Sequence, residues 1–205
     1  MEPRQVFRDF DGPADENPAR FCIVCGAPLE DAGDEAHRYK RCTACKRPYW
    51  RNPSPTVTVF VEKDRHVLLC LRSQRMLNGG KWCLPGGFIE WGEDFITGGR
   101  REVREETGLE VEIRAILSIA SNQHTPDAPM MSIILLAAPM SGEPRPMDET
   151  DEVRWHPFDQ PLPEMAFTHQ EHIIQRYLAT GLKGAPVDPR YARGILREPQ
   201  DRLTP

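Results

Sequence analysis

Three glutamates and four cysteines stand at spacings that could do chemistry: Glu102, Glu105 and Glu106, and Cys22, Cys25, Cys42 and Cys45. On a helix, positions i, i+3 and i+4 share one face, so the three carboxylates converge. Three like charges that close repel one another strongly once water is partly excluded. A bound cation is the simplest compensation, and hard carboxylate oxygens suit Mg²⁺ or Mn²⁺ better than zinc. Such a centre can bridge diphosphate oxygens, sharpen a water as nucleophile and neutralise charge on a leaving phosphate. The flanking residues fit that use. Pro85-Gly86-Gly87 lets the backbone come close to a ligand, Glu93 stands where a helix should begin, and Arg101 can pair with Glu105 one turn on.

The cysteines imply different chemistry. Cys22-x2-Cys25, sixteen residues, then Cys42-x2-Cys45 matches paired zinc knuckles. Four thiolates complete a tetrahedral Zn²⁺ and leave no position for water, so the expected site is structural. His37 lies between the pairs and is not needed, and two disulfides are the alternative. A ribbon of roughly 30 residues buries too little core to stand alone, so zinc should supply much of its folding free energy. Lys40, Arg41, Lys46, Arg47 and Arg51 cluster near Tyr39, Tyr49 and Trp50. They could meet RNA, meet an anionic dinucleotide, or form a solvated rim. Cys70, in the run Val67–Leu71, reads as a small buried hydrophobe.

These residues need elements to hold them. Residues 1–18 are polar and read as a flexible arm, residues 19–51 as the zinc ribbon, 52–181 as the catalytic domain, and 182–205 as an irregular tail. Thr56–Glu62 and His66–Arg72 should be strands of a hairpin turned at Lys63-Asp64-Arg65. A helix from Glu93 to Thr107 should end at Gly108, with Phe95, Gly99 and Val103 facing a sheet. Further strands are expected at Val111–Ala120, Met131–Ala137 and Glu152–His156. A last helix should open on a capping box of Thr168 and Glu171 and close at Gly181. Strands mixed with two helices predict an α/β sandwich around a mixed sheet.

Bulk properties set outer bounds. The 205 residues carry a formal charge of -5, which disfavours non-specific nucleic-acid binding. There is no apolar run of bilayer length and no basic-then-apolar leader at the N-terminus, so a cytoplasmic protein without a membrane partner is expected.

The stretch Gly87-x5-Glu93-x7-Arg101-Glu102-Val103-x-Glu105-Glu106-x-Gly108-Leu109 matches the Nudix box at every fixed position. From Thr56 to about Leu178 the chain resembles Nudix hydrolases, with Arg72, Trp82 and Leu84-Pro85-Gly86-Gly87 where that family usually has them. The resemblance implies an α/β/α sandwich and water attack on the diphosphate of a nucleoside-diphosphate-X compound. It makes Glu102, Glu105 and Glu106 the ligands of Mg²⁺ or Mn²⁺, and Glu102 or a carboxylate beyond the box the base. Glu152 is the first choice for that outer carboxylate, then Glu149, with Asp148 and Asp151 behind. Arg72, Gly86, Gly87, Gln123 and His124 are the expected substrate contacts, the last two on the loop Ser121–Pro129. Ribbon followed by Nudix domain is similar to the NADH pyrophosphatase lineage, but Ser121–Pro129 lacks that lineage's S-Q-P-W-P-F-P-x-S signature. ADP-ribose, NAD(H) or an FAD-like dinucleotide are the implied substrates. Capped RNA or a non-catalytic nucleotide sensor are the other readings, and a homodimer would be usual. Gly98 replaces a common alanine on the carboxylate face, either to admit a phosphate or by drift.

Overall fold

A computed structural model of the chain describes residues 1–11, 19–34 and 38–188. The chain opens with β1 (Val6–Arg8) and then forms β2 (Leu29–Gly33), β3 (Arg38–Cys42) and β4 (Pro48–Tyr49), which pair as a small antiparallel sheet. The larger unit runs β5 (Ser54–Lys63), β6 (His66–Arg72), β7 (Trp82–Cys83), β8 (Gly86–Phe88), α1 (Phe95–Thr107), β9 (Glu110–Gln123) and β10 (Pro129–Ser141). It closes with β11 (Thr150–Pro157), α2 (Thr168–Thr180) and β12 (Ala185–Pro186). Its sheet has the order β1-β9-β10-β5-β6-β11 and is mixed: β5 and β10 run parallel, β9 and β10 antiparallel. Among the described residues no helix is long and apolar enough to cross a membrane.

Helices cover both faces of this sheet, as the sandwich reading requires. Val57, Val59 and Val61 of β5 point to the α1 side, where they pack with Ile96, Val103 and Leu135. Phe60, between them, points to the other side and packs with Ile173 and Ile174 of α2. A strand buried on both faces needs no polar alternation, and Thr58, buried beside Val57, Val59, Phe60 and Val61, is the one polar side chain in that run. The β5–β6 turn forms where expected, with Asp64 and Arg65 both left-handed at φ 47° and 61°. A turn with two positive φ values matches the twist of the strands it joins.

The helix that carries the carboxylates begins at Phe95 rather than Glu93. Asp94 is its cap, accepting from the amides of Ile96 and Thr97 at 3.0 and 2.9 Å. Gly108 closes it in the left-handed region at φ 72°.

Three expectations change. The first is the flexible arm: β1 pairs in parallel with Ser121–Gln123 of β9, and Phe7 is buried in the α2-side core. An open strand edge gives such a segment its hydrogen bonds, and one buried aromatic anchors it. Of the proposed arm, residues 12–18 lie outside the described residues, as do His37 and residues 189–205 of the proposed tail. The second is that tail, which is not wholly irregular, because Ala185 and Pro186 pair with Ile116 and Ala115. The third is the capping box. Phe167 holds the cap position without a side-chain bond, Thr168 gives its hydroxyl to Asp9, and Glu171 accepts from Gln175.

Candidate active site

One face of α1 forms a wall of a cavity of about 570 Å³, completed by the ends of β5, β8, β9 and β10 and the turn before β11. Its outer part is acidic, with Glu102, Glu105 and Glu106 on the helix and Asp148 and Glu149 on the turn. Arg72, Gly86, Gly87 and His124 line it as expected. The helix itself delivers this convergence, through the spacing read in the sequence.

Arg101 organises the carboxylates. Its Nε and Nη2 donate to the two oxygens of Glu93 at 3.0 and 3.1 Å. Its Nη1 donates to Glu102 and Glu105, both at 2.9 Å, and Nη2 also reaches the Phe88 carbonyl at 2.9 Å. Every N–H of the guanidinium thus has an acceptor, and the hydrogen bond to Glu93 in particular holds its pKa above the ordinary value. Glu93 therefore reaches the site through Arg101 and does not line the cavity. A Cβ on Gly98 would lie 3.0 Å from Glu93 Oε2, so that glycine clears space for this ion pair rather than for a phosphate. A Cβ on Gly86 would lie 2.2 Å from the Val57 carbonyl oxygen, which makes the first glycine of Pro85-Gly86-Gly87 a steric requirement, whereas one on Gly87 would press on the Glu102 carboxylate at 2.5 Å.

Glu106 is the deepest of the three carboxylates. It is buried, and its Oε2 accepts from the Gly86 amide at 3.2 Å. Desolvation, then the charge of Glu102, pushes it up to about 8. Desolvation also raises Glu102. A buried carboxylate raised by burial and by a like charge is a place that a cation would stabilise, and the donors are the hard oxygens that Mg²⁺ or Mn²⁺ prefers. These residues fit a divalent cation. Arg101 holds Glu102 and Glu105 on its own side, so the carboxylates share the cavity without being drawn to ligand spacing.

Two of the expected residues are placed elsewhere. Glu152 sits exposed on β11, beyond a register shift between Thr150 and Glu152, and does not line the cavity. Glu149 and Asp148, which precede the strand, take that place. Gln123 lies outside the cavity wall, its amide donating to the Pro126 carbonyl at 2.8 Å to hold its own loop.

The inner end of the cavity is lined mainly by neutral polar and aromatic side chains and was not anticipated beyond His124. Asn122, Ser132, His169 and Phe167 line it, the first three almost completely buried. His124 lies 4.4 Å from the Phe167 ring, and the Arg72 guanidinium stands 5.0 Å over the same ring. Desolvation, then His124, takes His169 down to about 3, so its ring stays neutral. No signal in the sequence sets His169 apart, since Thr168-His169-Gln170-Glu171-His172 is polar throughout and the capping pattern accounts for Thr168 and Glu171.

The sequence model of a family described as NUDIX domain matches residues 52–177. The chain belongs to the NUDIX family. An ADP-ribose pyrophosphatase from Methanocaldococcus jannaschii is 33% identical over 128 residues, 62% of this chain and 74% of the relative. An NAD-capped RNA hydrolase NudC from Pseudomonas aeruginosa is 34% identical over 163 residues, 78% of this chain. That alignment covers 56% of the relative, so the chain spans little more than half the length of the NudC proteins it matches. A crystal structure of a NUDIX hydrolase from Nitrosomonas europaea superposes with a TM-score of 0.71 at 29% identity, covering 82% of this chain and 96% of that one.

The ribbon in front of the NUDIX domain carries the second candidate centre. The sulfurs of Cys22, Cys25, Cys42 and Cys45 lie within 4.8 Å of one another, with Cys25 and Cys42 at 3.4 Å and Cys22 and Cys45 at 3.7 Å. Burial opposes ionisation of Cys42, but amide hydrogens of Cys45 and Ala44 bring it down to about 6. Against the lowering pull of the Arg47 amide, the neighbouring thiols push Cys45 up to about 11. Four thiols this close cannot all ionise unaided, and all four are free, so the set fits a tetrahedral Zn²⁺. Of the basic cluster beside it, Lys40 pairs with Asp31 at 3.1 Å and Arg41 with Glu30 at 3.2 Å. Cys70 and Cys83 are buried, and desolvation pushes the Cys83 thiol up to about 12, so both act as core residues.

Proposed function

We propose that the chain hydrolyses a nucleoside-diphosphate-X compound, with ADP-ribose or a dinucleotide as substrate, to two phosphorylated products. Water attacks one phosphorus, the bond from that phosphorus to the bridging oxygen breaks, and the bridging oxygen leaves on the other phosphate. The observation that carries this reading is the intact box on one face of α1, with Arg101 fixing Glu102 and Glu105 beside a buried Glu106 in a cavity large enough for a nucleotide. Glu102, Glu105 and Glu106 would hold Mg²⁺ or Mn²⁺, which when bound neutralises phosphate charge and makes water more acidic. Arg72, over Phe167 and anchored by its Nε to the Leu77 carbonyl at 2.9 Å, offers its remaining donors to phosphate. Gly86 and Gly87 let backbone approach the diphosphate. Glu149 replaces Glu152 as the carboxylate outside the box that can take a proton, because it lines the cavity.

The test is an assay of the purified chain, with Mg²⁺ or Mn²⁺, on ADP-ribose, NAD, NADH, FAD and a diadenosine polyphosphate, with products identified. Release of AMP from one or more of them is the expected result. No cleavage of any with either ion would overturn the reading.

A second reading follows from the names of the NudC relatives: the same diphosphate at the 5′ end of an NAD-capped RNA. The ribbon supports it with Trp50, half-exposed and 4.4 Å from Tyr39, as a surface on which a base could stack. RNA binding that weakens steeply with salt, together with release of a monophosphate end, would favour it. Salt-independent turnover of free dinucleotides alone would remove it.

A further inference from the structure

Strand β1 lies outside the matched domain, yet the residue that follows it touches the cavity wall from behind. The Ser121 amide donates to Gln5 O at 2.8 Å and the Asp9 amide to Gln123 O at 3.0 Å, which carries Asp9 to the inner end. There Asp9 Oδ2 lies 2.6 Å from His124 Nδ1, and Oδ1 accepts the Thr168 hydroxyl. An ionised carboxylate only accepts, so the proton of a neutral His124 belongs on Nδ1 and Nε2 is left as an acceptor. That Nε2 is 3.4 Å from Asn122 Nδ2, which also faces Ser132 Oγ at 3.1 Å and the His169 ring at 3.2 Å. The two N–H groups of the Asn122 amide are thereby turned towards His124, Ser132 and His169. The Ser132 hydroxyl can return a hydrogen bond to Asn122 Oδ1 at 3.5 Å, and Ser132 Oγ continues the row to Thr56 Oγ1 at 2.5 Å. One carboxylate at the edge of the fold thus sets the direction of the His124–Asn122 hydrogen bond, with which this row begins.

We propose that Asp9 is a positioning residue, which fixes the His124 tautomer and through it the donor and acceptor pattern of the cavity's inner end, where the part of the substrate beyond the diphosphate is received. The proposal rests on the hydrolase reading above for the identity of that substrate. Burial lowers the pKa of both His124 and His169, Asp9 pulling His124 back up and Arg72 pushing it down, so the wall contains two neutral rings, and on His124 the contact with Asp9 places the proton. A wall whose hydrogen-bond directions are fixed rejects a ligand group that leaves one of them unmatched, and a wall free to flip does not. Chain preceding the domain therefore takes part in substrate choice.

The test uses the full zinc-loaded chain and reads two quantities: the His124 tautomer by NMR of the ring nitrogens, and KM and kcat for ADP-ribose. Asp9→Ala should let the Nε2–H tautomer appear and raise KM about tenfold while kcat stays within about twofold. Asp9→Asn keeps an acceptor oxygen and should restore most of both. Thr168→Val breaks the other Asp9 contact; it should lower the melting temperature and leave tautomer and KM alone. Asp11→Asn, on the exposed stretch just beyond, should change nothing. An unaltered tautomer in Asp9→Ala, or Thr168→Val reproducing its KM, would show that Asp9 only anchors the strand and overturn the proposal. If Asp9→Ala fails to fold, wild type still decides: an Nε2–H tautomer or a charged ring at pH 7.5 overturns it. Should the chain cleave no dinucleotide at all, the hydrolase reading falls while the tautomers still judge Asp9.

Discussion

The outer and inner ends of the cavity are built by opposite routes. The outer end takes Arg101, Glu102, Glu105 and Glu106 from a single helix, and their spacing is already their geometry. The inner end takes Asp9, Asn122, His124, Phe167 and His169 from the N-terminal strand, the β9–β10 hairpin and the start of α2. Nothing in the spacing of those five residues says that they meet. A site laid along one helix survives reading as a string of letters; a site closed by strand pairing exists only after the sheet has formed. The outer end should accordingly act on every substrate alike, and the inner end should tell one substrate from another.

The largest effect expected lies at the outer end. Glu106→Gln keeps the side-chain volume and the contact with the Gly86 amide but removes the charge, and should lower kcat by a factor on the order of 10²–10³ for all substrates, with the melting temperature kept or raised. Near-wild-type kcat at saturating Mg²⁺ would mean that Glu106 does not serve the cation, and the contrast between the two ends would collapse.

Next in size is the ribbon. Cys42→Ser removes one of four sulfurs from a module with few core residues of its own, so it should release one equivalent of zinc and unfold residues 19–51 selectively. Turnover of a small dinucleotide should persist, because among the described residues none of the ribbon lines the cavity. Metal analysis of freshly purified protein checks the first claim; zinc-free protein with two disulfides would sink it.

Legibility followed the same division. The box, both cysteine pairs, the β5–β6 hairpin and the end of α1 were readable because each depends on neighbours within a few residues. Strand β1 was not, since its partners are more than a hundred residues away and its three residues carry no periodicity of their own. Thr168 had the letters of a capping box, but a hydroxyl bonds whichever acceptor the fold delivers, and the fold delivers Asp9. Glu152 failed for a third reason: a register shift at the start of β11 decides which acidic side chain faces the cavity, and a slip of one residue turns a strand over.

A smaller effect probes how closely α1 must sit on the sheet to present its carboxylates. Gly99→Ala would place a methyl 2.8 Å from Leu135 Cδ1 and 3.2 Å from Val59 Cγ2, both fully buried. Alanine favours a helix by roughly 1 kcal/mol over glycine, but overpacking a closed core costs about 1–3 kcal/mol, so a net loss of stability is expected. Gly98→Ala crowds the Glu93 carboxylate at 3.0 Å and reaches Ile89 at an ordinary contact distance, and should be milder in chemical denaturation while disturbing the Glu93–Arg101 pair. Equal stability of the two variants would show that the helix has room to shift.

The smallest effect belongs to the inner end and is read through pH. His169 titrates near 6.5 when exposed and at about 3 in the fold, because burial and then the neighbouring His124 ring disfavour its charge. Between those values the unfolded chain binds the extra proton and the folded chain does not, so stability falls as pH drops through 6.5. Going from pH 7.5 to 5.5 should remove about 1 kcal/mol through this one group. Glu106 works in the other direction, since its folded pKa is raised to about 8 and the folded chain binds its extra proton over part of the same window. The net pH dependence of the wild type therefore mixes the two ends of the cavity, and a variant is needed to separate them. His169→Gln removes the titrating ring while leaving a polar side chain for Asn122, and the pH-dependent difference between wild type and variant isolates the histidine. Urea unfolding at pH 5.5 and 7.5 should show the variant gaining on the wild type at the lower pH. If the gap between them is the same at both, His169 takes up its proton in the fold as easily as outside it, and the inner wall is open to water rather than dry.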